Sequence, residues 1–213
     1  MTILALEFSS PLRGVAVAVD GVVRAEVAEQ GGRETHAFQL IERVLREAGL
    51  AREEVEGIAV GTGPGSYAGI RIAIAIAQGW GLARGVKLMG ISSADGVAAQ
   101  VTGLAQGEKF SIVIDAQRGE FFAARYQCTA VGPRLIRPFQ LMAESEWSRP
   151  GETIFRPDMT APDGRTGLPL PPSASALARL AAARGDHSND SVLEPIYLRP
   201  AAFIKAPPSR FAF

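Results

Sequence analysis

Cysteine occurs once in the 213-residue chain, at position 128, and histidine twice, at positions 36 and 187. A single thiol forms no intramolecular disulfide and builds no cysteine cage for zinc, which suits a reducing compartment. Two distant histidines with no His-x-x-x-His pair give no helical seed for a metal centre, so neither a metal nor a cofactor is expected. A surplus of one charge is also missing. Lys and Arg number 22 against 22 Asp and Glu, and the pI is near 6.8. Direct gripping of nucleic acid draws most of its affinity from phosphate neutralisation, so any role with RNA is expected to be indirect. Long apolar runs are absent as well. The most apolar window, Ile70–Leu82, falls short of the roughly 20 residues that span a bilayer and includes Arg71 and Gln78. Met1–Ser10 has no basic opening, and Glu7 interrupts its apolar run, so no leader peptide and a cytoplasmic location are expected.

What remains is an ordinary globular composition, 47% hydrophobic and 21% charged, with length enough for one large domain or two small ones. Thr2–Glu7 reads as a buried strand. Gly14–Val19 and Val22–Ala28 flank Asp20-Gly21, a strong hairpin signal. Thr35–Ala48 has helical spacing with Thr35 as its cap and Gly49 as its stop. Gly57–Val60 (strand), Ser66–Ala83 (helix), Lys87–Ile91 (strand) and a helix from Ser92 or Ser93 to about Val101 follow. Thr102–Lys109 breaks the periodicity. The opening pattern then returns: Phe110–Asp115 is an apolar strand ending in an acid, like Ile3–Glu7, and Glu120–Tyr126 alternates after an Arg118-Gly119 turn. This similarity predicts a duplicated α/β unit, with an N-terminal subdomain over 1–102 and a smaller C-terminal one over 103–213. Further strands are read near Arg134–Arg137 and Thr153–Phe155. Pro157–Pro172 reads as a loop, Ser173–Arg184 as a helix and Pro195–Phe213 as an irregular tail.

The segment Gly61-Thr62-Gly63-Pro64-Gly65-Ser66-Tyr67 joins a buried strand to a helix. Such a turn can cradle phosphate on free N–H groups at the helix start, or it can be a tight turn that needs glycine for close helix–strand approach. Gly63-x-Gly65-x-x-Ala68 loosely matches a dinucleotide fingerprint. However, Pro64 lies inside it, no acid ends the next strand, and no Walker lysine follows. Glu7 and Asp115 end corresponding strands, where carboxylates can hold Mg²⁺ beside a nucleotide or simply meet solvent. Ser66 has no histidine base nearby in sequence, which argues against a serine nucleophile.

The helix Ser66–Ala83 is apolar all round. On a helical wheel, Gly69, Ile72, Ala73, Ile76, Trp80 and Ala83 share one face, expected to lie on the sheet. Tyr67, Ile70, Arg71, Ile74, Gln78 and Leu82 share the other, expected to be covered either by the chain's own second helix or, as the favoured reading, by a partner subunit. An all-apolar helix is a covered helix.

Ile3-Leu4-Ala5-Leu6-Glu7, the stretch GTGPGSYAGIRIAIAIAQGWGLA, VIDAQRGEFFAARY and the C-terminal PIYLRP together resemble the TsaB (YeaZ) family over nearly the whole chain. The resemblance implies a duplicated ribonuclease-H-like/actin-like ATPase fold. It also implies a non-catalytic dimerisation subunit that partners the related catalytic subunit TsaD, assisted by a TsaE-type ATPase. Together these transfer threonylcarbamoyl to the adenosine beside the anticodon of tRNAs that read codons beginning with A. A homodimer is expected for the chain alone. The contact surface would be His36, Leu40 and Val44 on the first helix with Tyr67, Ile70, Arg71, Ile74, Gln78 and Leu82 on the second. A vestigial nucleotide site would comprise Glu7, Ser9, Gly63, Gly65, Ser66 and Asp115. The alternative is a small ATPase or phosphotransferase using Glu7, Asp115 and the Gly63–Ser66 loop. Departures from the family pattern fall at that site: Glu7-Phe8-Ser9 replaces Asp-Thr-Ser, Tyr67-Ala68 replaces Phe-Thr, and Asp115-Ala116-Gln117 replaces Asp-Ala-Arg. Phe8 is expected to crowd a phosphate hairpin.

Overall fold

The computed structural model describes residues 1–31, 36–116, 119–147, 151–158, 167–184, 190 and 192–198. Its first sheet comprises β1 (Thr2–Glu7), β2 (Leu12–Val19), β3 (Val22–Gln30), β4 (Gly57–Gly61) and β5 (Lys87–Ile91), in the order β3-β2-β1-β4-β5. The β1–β2 and β2–β3 pairs are antiparallel; β1–β4 and β4–β5 are parallel. The second sheet comprises β6 (Lys109–Asp115), β7 (Glu120–Thr129), β8 (Gly132–Ala143), β9 (Thr153–Arg156) and β10 (Leu168–Pro169), in the order β10-β9-β6-β7-β8. Its directions repeat the first: β6–β7 and β7–β8 antiparallel, β6–β9 and β9–β10 parallel. Read from its other edge, the second sheet is the first, strand for strand. The duplication expected from β1 and β6 is therefore real, and Glu7 and Asp115 end equivalent strands.

Strand alternation divides the first core in two. Leu4, Leu6 and Phe8 point to one face, with Val15 and Val17 of β2, and are covered by α1 (Ala37–Ala48) and α2 (Tyr67–Arg84). Ile3, Ala5, Ala16 and Ala18 point to the other and are covered by α5 (Ala174–Arg184). That helix lies late in the chain yet packs on the first sheet, so the spatial units do not follow the division of the chain into halves. α3 (Ser93–Ala98) is shorter than its sequence suggests and carries Val97 and Ala98 onto Phe110, Ile112 and Tyr126 of the second sheet. One hydrogen bond, from the Tyr126 hydroxyl to Asp95 Oδ1 at 2.9 Å, ties α3 to β7.

Local signals explain the ends. Gly49 and Gly85 stop α1 and α2 in the left-handed conformation that glycine adopts without a Cβ clash. Ser66 caps α2 by accepting from the Gly69 N–H at 3.3 Å. The expected cap Thr35 lies outside the described residues, and His36 occupies the cap position of α1 with no side-chain bond. β8 runs through Pro133 and Pro138 because it is an edge strand, where a missing N–H costs least. Two residues of the expected Pro157–Pro172 loop form β10; 159–166 lie outside the described residues, as do Gln117, Arg118 and the tail from 199 onward. Among the described residues, no helix is long and apolar enough to cross a membrane.

Candidate functional site

Two surfaces stand out, a groove between α1 and α2 and a cleft where the two sheets' strand ends meet. The groove exists because of how α2 sits on the sheet. Its buried residues are Gly69, Ile70, Ala73, Ile74 and Ala77, a stripe at helical spacing whose small members bring the axis close to β1 and β4. This corrects the wheel. Ile70 and Ile74 are 3% and 6% exposed and belong to the core, whereas Ile72 is exposed and Ile76 and Trp80 are half-buried. The helix is rotated by roughly a quarter turn from the expected setting. Its apolar residues surround it so evenly that periodicity carries no direction. Leu40 and Val44 of α1 are likewise corrected: at 3% and 0% exposure they pack against the sheet in the monomer itself. His36, Tyr67, Arg71, Gln78 and Leu82 are exposed, Leu82 almost completely.

The groove is a cavity of about 580 Å³ with Phe38 and Ile41 on one wall and Ala75, Ile76, Gly79, Trp80 and Ala83 on the other. Phe38 is 70% exposed. Glu42, Arg52, Glu53 and Arg84 rim it, and Arg84 donates to the Glu53 carbonyl at 3.1 Å. An apolar floor with a charged rim is the anatomy of a protein contact.

The cleft, about 630 Å³, is lined by Ser9, Ser10, Pro11 and Arg13 of the β1–β2 connection and by Pro64–Tyr67 at the start of α2. Asp115, Asp158 and Tyr197 line it from the other side. It gathers four of the six residues expected for a nucleotide site: Ser9, Gly65, Ser66 and Asp115. It does not gather the other two. Glu7 is fully buried below the cleft, with Oε1 accepting from the Ser9 N–H at 2.8 Å and Oε2 buried without a hydrogen-bond partner. Burial raises its pKa from the ordinary 4.5, offset in part by the nearby Ser9 and Ser93 groups and by the charge of Arg13. Gly61 explains how glutamate fits where the family pattern has aspartate: a Cβ there would overlap the Glu7 carboxyl. Gly63 packs against Ile70 and donates to Ser93 Oγ at 3.1 Å. Phe8 does not crowd the hairpin. It is fully buried, on the strand face that carries Leu4 and Leu6 into the core.

Sequence reasoning missed Arg13, Asp158 and Tyr197. Arg13 is only 6% exposed. Its guanidinium donates to the carbonyls of Phe8 and Ser10 and, at 3.1 Å, to Ser66 Oγ. It bridges hairpin and helix beneath Gly69, where any side chain would collide with it. Asp158 accepts from Arg156 Nε at 3.1 Å and Nη2 at 2.7 Å and from the Asp115 N–H at 3.4 Å. Tyr197 lies beside Tyr67, with ring centroids 5.8 Å apart, and Arg71 sits over the Tyr67 ring at 4.7 Å. Sequence held no signal for the contacts of Arg13 with Ser66, Asp158 with Asp115 and Tyr197 with Tyr67, because these partners are remote in the chain. Among the described residues, no three His, Cys, Asp or Glu side chains gather as metal ligands would.

Residues 21–161 match the family described as TsaD, tRNA N6-adenosine threonylcarbamoyltransferase. The chain is 27% identical to the Escherichia coli tRNA threonylcarbamoyladenosine biosynthesis protein TsaB, over 93% of this chain and 95% of that one. It is 30% identical to an uncharacterized Mycobacterium tuberculosis protein, over 93% and 92% of the two chains. The crystal structure of YeaZ from Pseudomonas aeruginosa superposes with a TM-score of 0.75 at 26% identity, covering 92% of this chain and 99% of that one. A duplicated five-stranded α/β fold shared end to end with YeaZ, and sequence identity spread along the same length, place this chain in the TsaB (YeaZ) family.

Proposed function

We propose that this chain serves tRNA threonylcarbamoyladenosine synthesis as a non-catalytic subunit that docks a TsaD-type catalytic partner through the α1–α2 groove. The observation that carries the reading is the groove itself. Phe38, Ile72, Ile76, Trp80 and Leu82 present an apolar surface on two adjacent helices, with Arg71, Gln78 and Tyr67 beside them to fix register. Each large side chain that a partner withdraws fully from water contributes roughly 1.5–3 kcal/mol, so the surface favours being covered. Alone, the chain covers it with a second copy of itself. A TsaE-type ATPase completes the assembly in the cytoplasm, and tRNA reaches this subunit only through its partners, in keeping with a net charge of zero.

The alternative, an ATPase or phosphotransferase using Glu7, Asp115 and the Gly63–Ser66 loop, is disfavoured by the full burial of Glu7, which cannot reach a ligand in the cleft. The test mixes the isolated chain with a TsaD-type protein from the same source. A stable complex by sedimentation is expected, required for tRNA modification, with no ATP turnover by this chain alone. Failure to associate would remove the family role. Turnover with ATP and Mg²⁺ that disappears in Asp115→Asn would favour the enzyme.

A further inference from the structure

The net charge of zero conceals an uneven distribution. On the second sheet, register places Lys109, Gln127 and Arg134 in one row across β6, β7 and β8, and Ser111, Arg125 and Arg137 in the next. Directly opposed residues of antiparallel strands share a face, as do residues two apart on one strand, so both rows lie on the same face. Arg134 and Arg137 are three apart and would point to opposite faces of a regular strand. A register shift corrects this: Arg125 opposes Arg137 and Tyr126 opposes Leu135, which leaves Ile136 as the extra residue of a bulge. Four cations thus meet toward the Lys109 end of β6, away from Asp115 and the cleft. Glu152 neutralises Arg125, accepting from its Nε at 3.0 Å and from its Nη2. Lys109, Arg134 and Arg137 are exposed and, among the described residues, have no carboxylate partner; Arg137 donates to Gln140 Oε1 at 2.9 Å. The neighbouring Glu108 carboxylate is taken up by the Ala105 N–H at 2.7 Å. Charge on an edge strand by itself serves to prevent edge-to-edge pairing. However, Lys109 lies on the central strand β6, and a bulge that gathers two arginines on one face adds repulsion between them.

We propose that this face contacts the phosphate backbone of base-paired RNA while the catalytic partner holds that RNA. Strands β6 and β8 are ~10 Å apart across β7 and successive rows ~6.8 Å apart. Three free cations over such an area match a polyanion with many regularly spaced charges, as a nucleic-acid duplex is, and not one small anion. A protein partner calls for an apolar centre to its contact. Apart from the bulged Ile136, this part of the face has none: Val113, Phe121 and Ala123 are buried, and Leu135 and Leu141 oppose Tyr126 and Phe122 on the other face. Single strands are held by stacking on aromatic rings, and among the described residues of β6, β7 and β8 no ring is exposed. Contact is therefore with backbone and carries no sequence preference. Three contacts are too few to hold RNA tightly at physiological salt, so the partner must bring it. The choice of RNA rests on the role in tRNA modification proposed above, whereas the face itself is separate from the α1–α2 groove.

Fluorescence anisotropy of a labelled RNA hairpin with a stem of about ten base pairs, titrated with the full chain, tests this without any partner. Three phosphate contacts predict that affinity falls about fortyfold between about 50 and 200 mM salt. In Arg134→Gln or Arg137→Gln the fall should be about twelvefold, because each removes about one unit of salt slope. Joint replacement of Lys109, Arg134 and Arg137 by glutamine should leave no saturable binding at the lower salt. Arg24→Gln removes the same charge from exposed β3 on the first sheet and should leave the slope as it is. Circular dichroism checks folding. The side chains of Lys109 and Arg134 make no hydrogen bond or ion pair among the described residues, so their variants decide the matter even if Arg137→Gln does not fold. With a TsaD-type protein, the triple variant should assemble like the wild type yet bind tRNA more weakly. Failure of the wild type to assemble would count against the docking groove alone, because the hairpin assay needs no partner. The proposal is overturned by no saturable hairpin binding at the lower salt, by an unaltered slope in Arg134→Gln, or by tighter binding of unpaired RNA of the same length. Displacement of the hairpin by polyglutamate at equal charge would also overturn it and assign the face to an acidic protein.

Discussion

A pair of substitutions two residues apart on α2 separates the core from the docking surface. Ile74 is 6% exposed and belongs to the core cluster that also holds Leu6, Val60 and the buried residues of α1, while Ile76 is half-buried on the groove wall. In Ile74→Glu the carboxylate has no route to water. An unpaired buried charge costs about 3–5 kcal/mol, and the lost apolar burial adds roughly 1.5–3 kcal/mol. Their sum rivals the whole stability of a typical domain, about 5–15 kcal/mol, so this variant should be largely unfolded. In Ile76→Glu the carboxylate reaches solvent, and glutamate is a good helix former, so the monomer should lose no more than about 1 kcal/mol. Sealed against a partner, the same carboxylate costs several kcal/mol, which weakens association by at least about a hundredfold. Circular dichroism reports folding, and sedimentation with and without a TsaD-type protein reports assembly. If Ile76→Glu associates as well as the wild type, the groove is not the docking surface. A cooperatively folded Ile74→Glu would mean that the setting of α2 on the sheet is wrong.

Three further outcomes follow from single contacts. Gly61→Ala places a methyl group on the Glu7 carboxyl and should destabilise the chain by about 1–3 kcal/mol in denaturant unfolding; a neutral result would mean that β4 and β1 are looser than described. Glu7 binds its proton more tightly folded than unfolded, so its contribution to stability falls as pH rises above the ordinary 4.5 toward its raised folded value. Glu7→Gln should therefore match the wild type near pH 4 and exceed it near pH 7.5, and melting curves with no such divergence would sink this account. Tyr126→Phe removes the bond that ties β7 to α3 and should cost about 1–2 kcal/mol, abolished when Asp95→Ala is already present, in a double-mutant cycle.

Much of this fold was legible because its signals are local. β1 and β5 coincide with their apolar runs, Asp20-Gly21 turns the first hairpin, and Gly49 and Gly85 end helices where left-handed backbone is needed. The acid-ended strands at Glu7 and Asp115 were enough to expose the duplication. Local signals could not set the rotation of α2. With alanine, glycine and isoleucine on every side, its wheel has no strong direction, and the small residues Ala73 and Ala77 won the sheet because they let the helix approach closely. Nor could they foresee that Phe8 would turn into the core, or that α5 would return to cover the first sheet. The Arg13 corner was invisible for the same reason. An arginine at the start of a strand reads as an exposed charge until the carbonyls of Phe8 and Ser10 and the hydroxyl of Ser66, fifty-three residues away, close around it. Sequence determined where the chain turns and which strands repeat. Tertiary packing alone decided which apolar face is core and which is offered to a partner, because burial is a property of the neighbours and not of the residue.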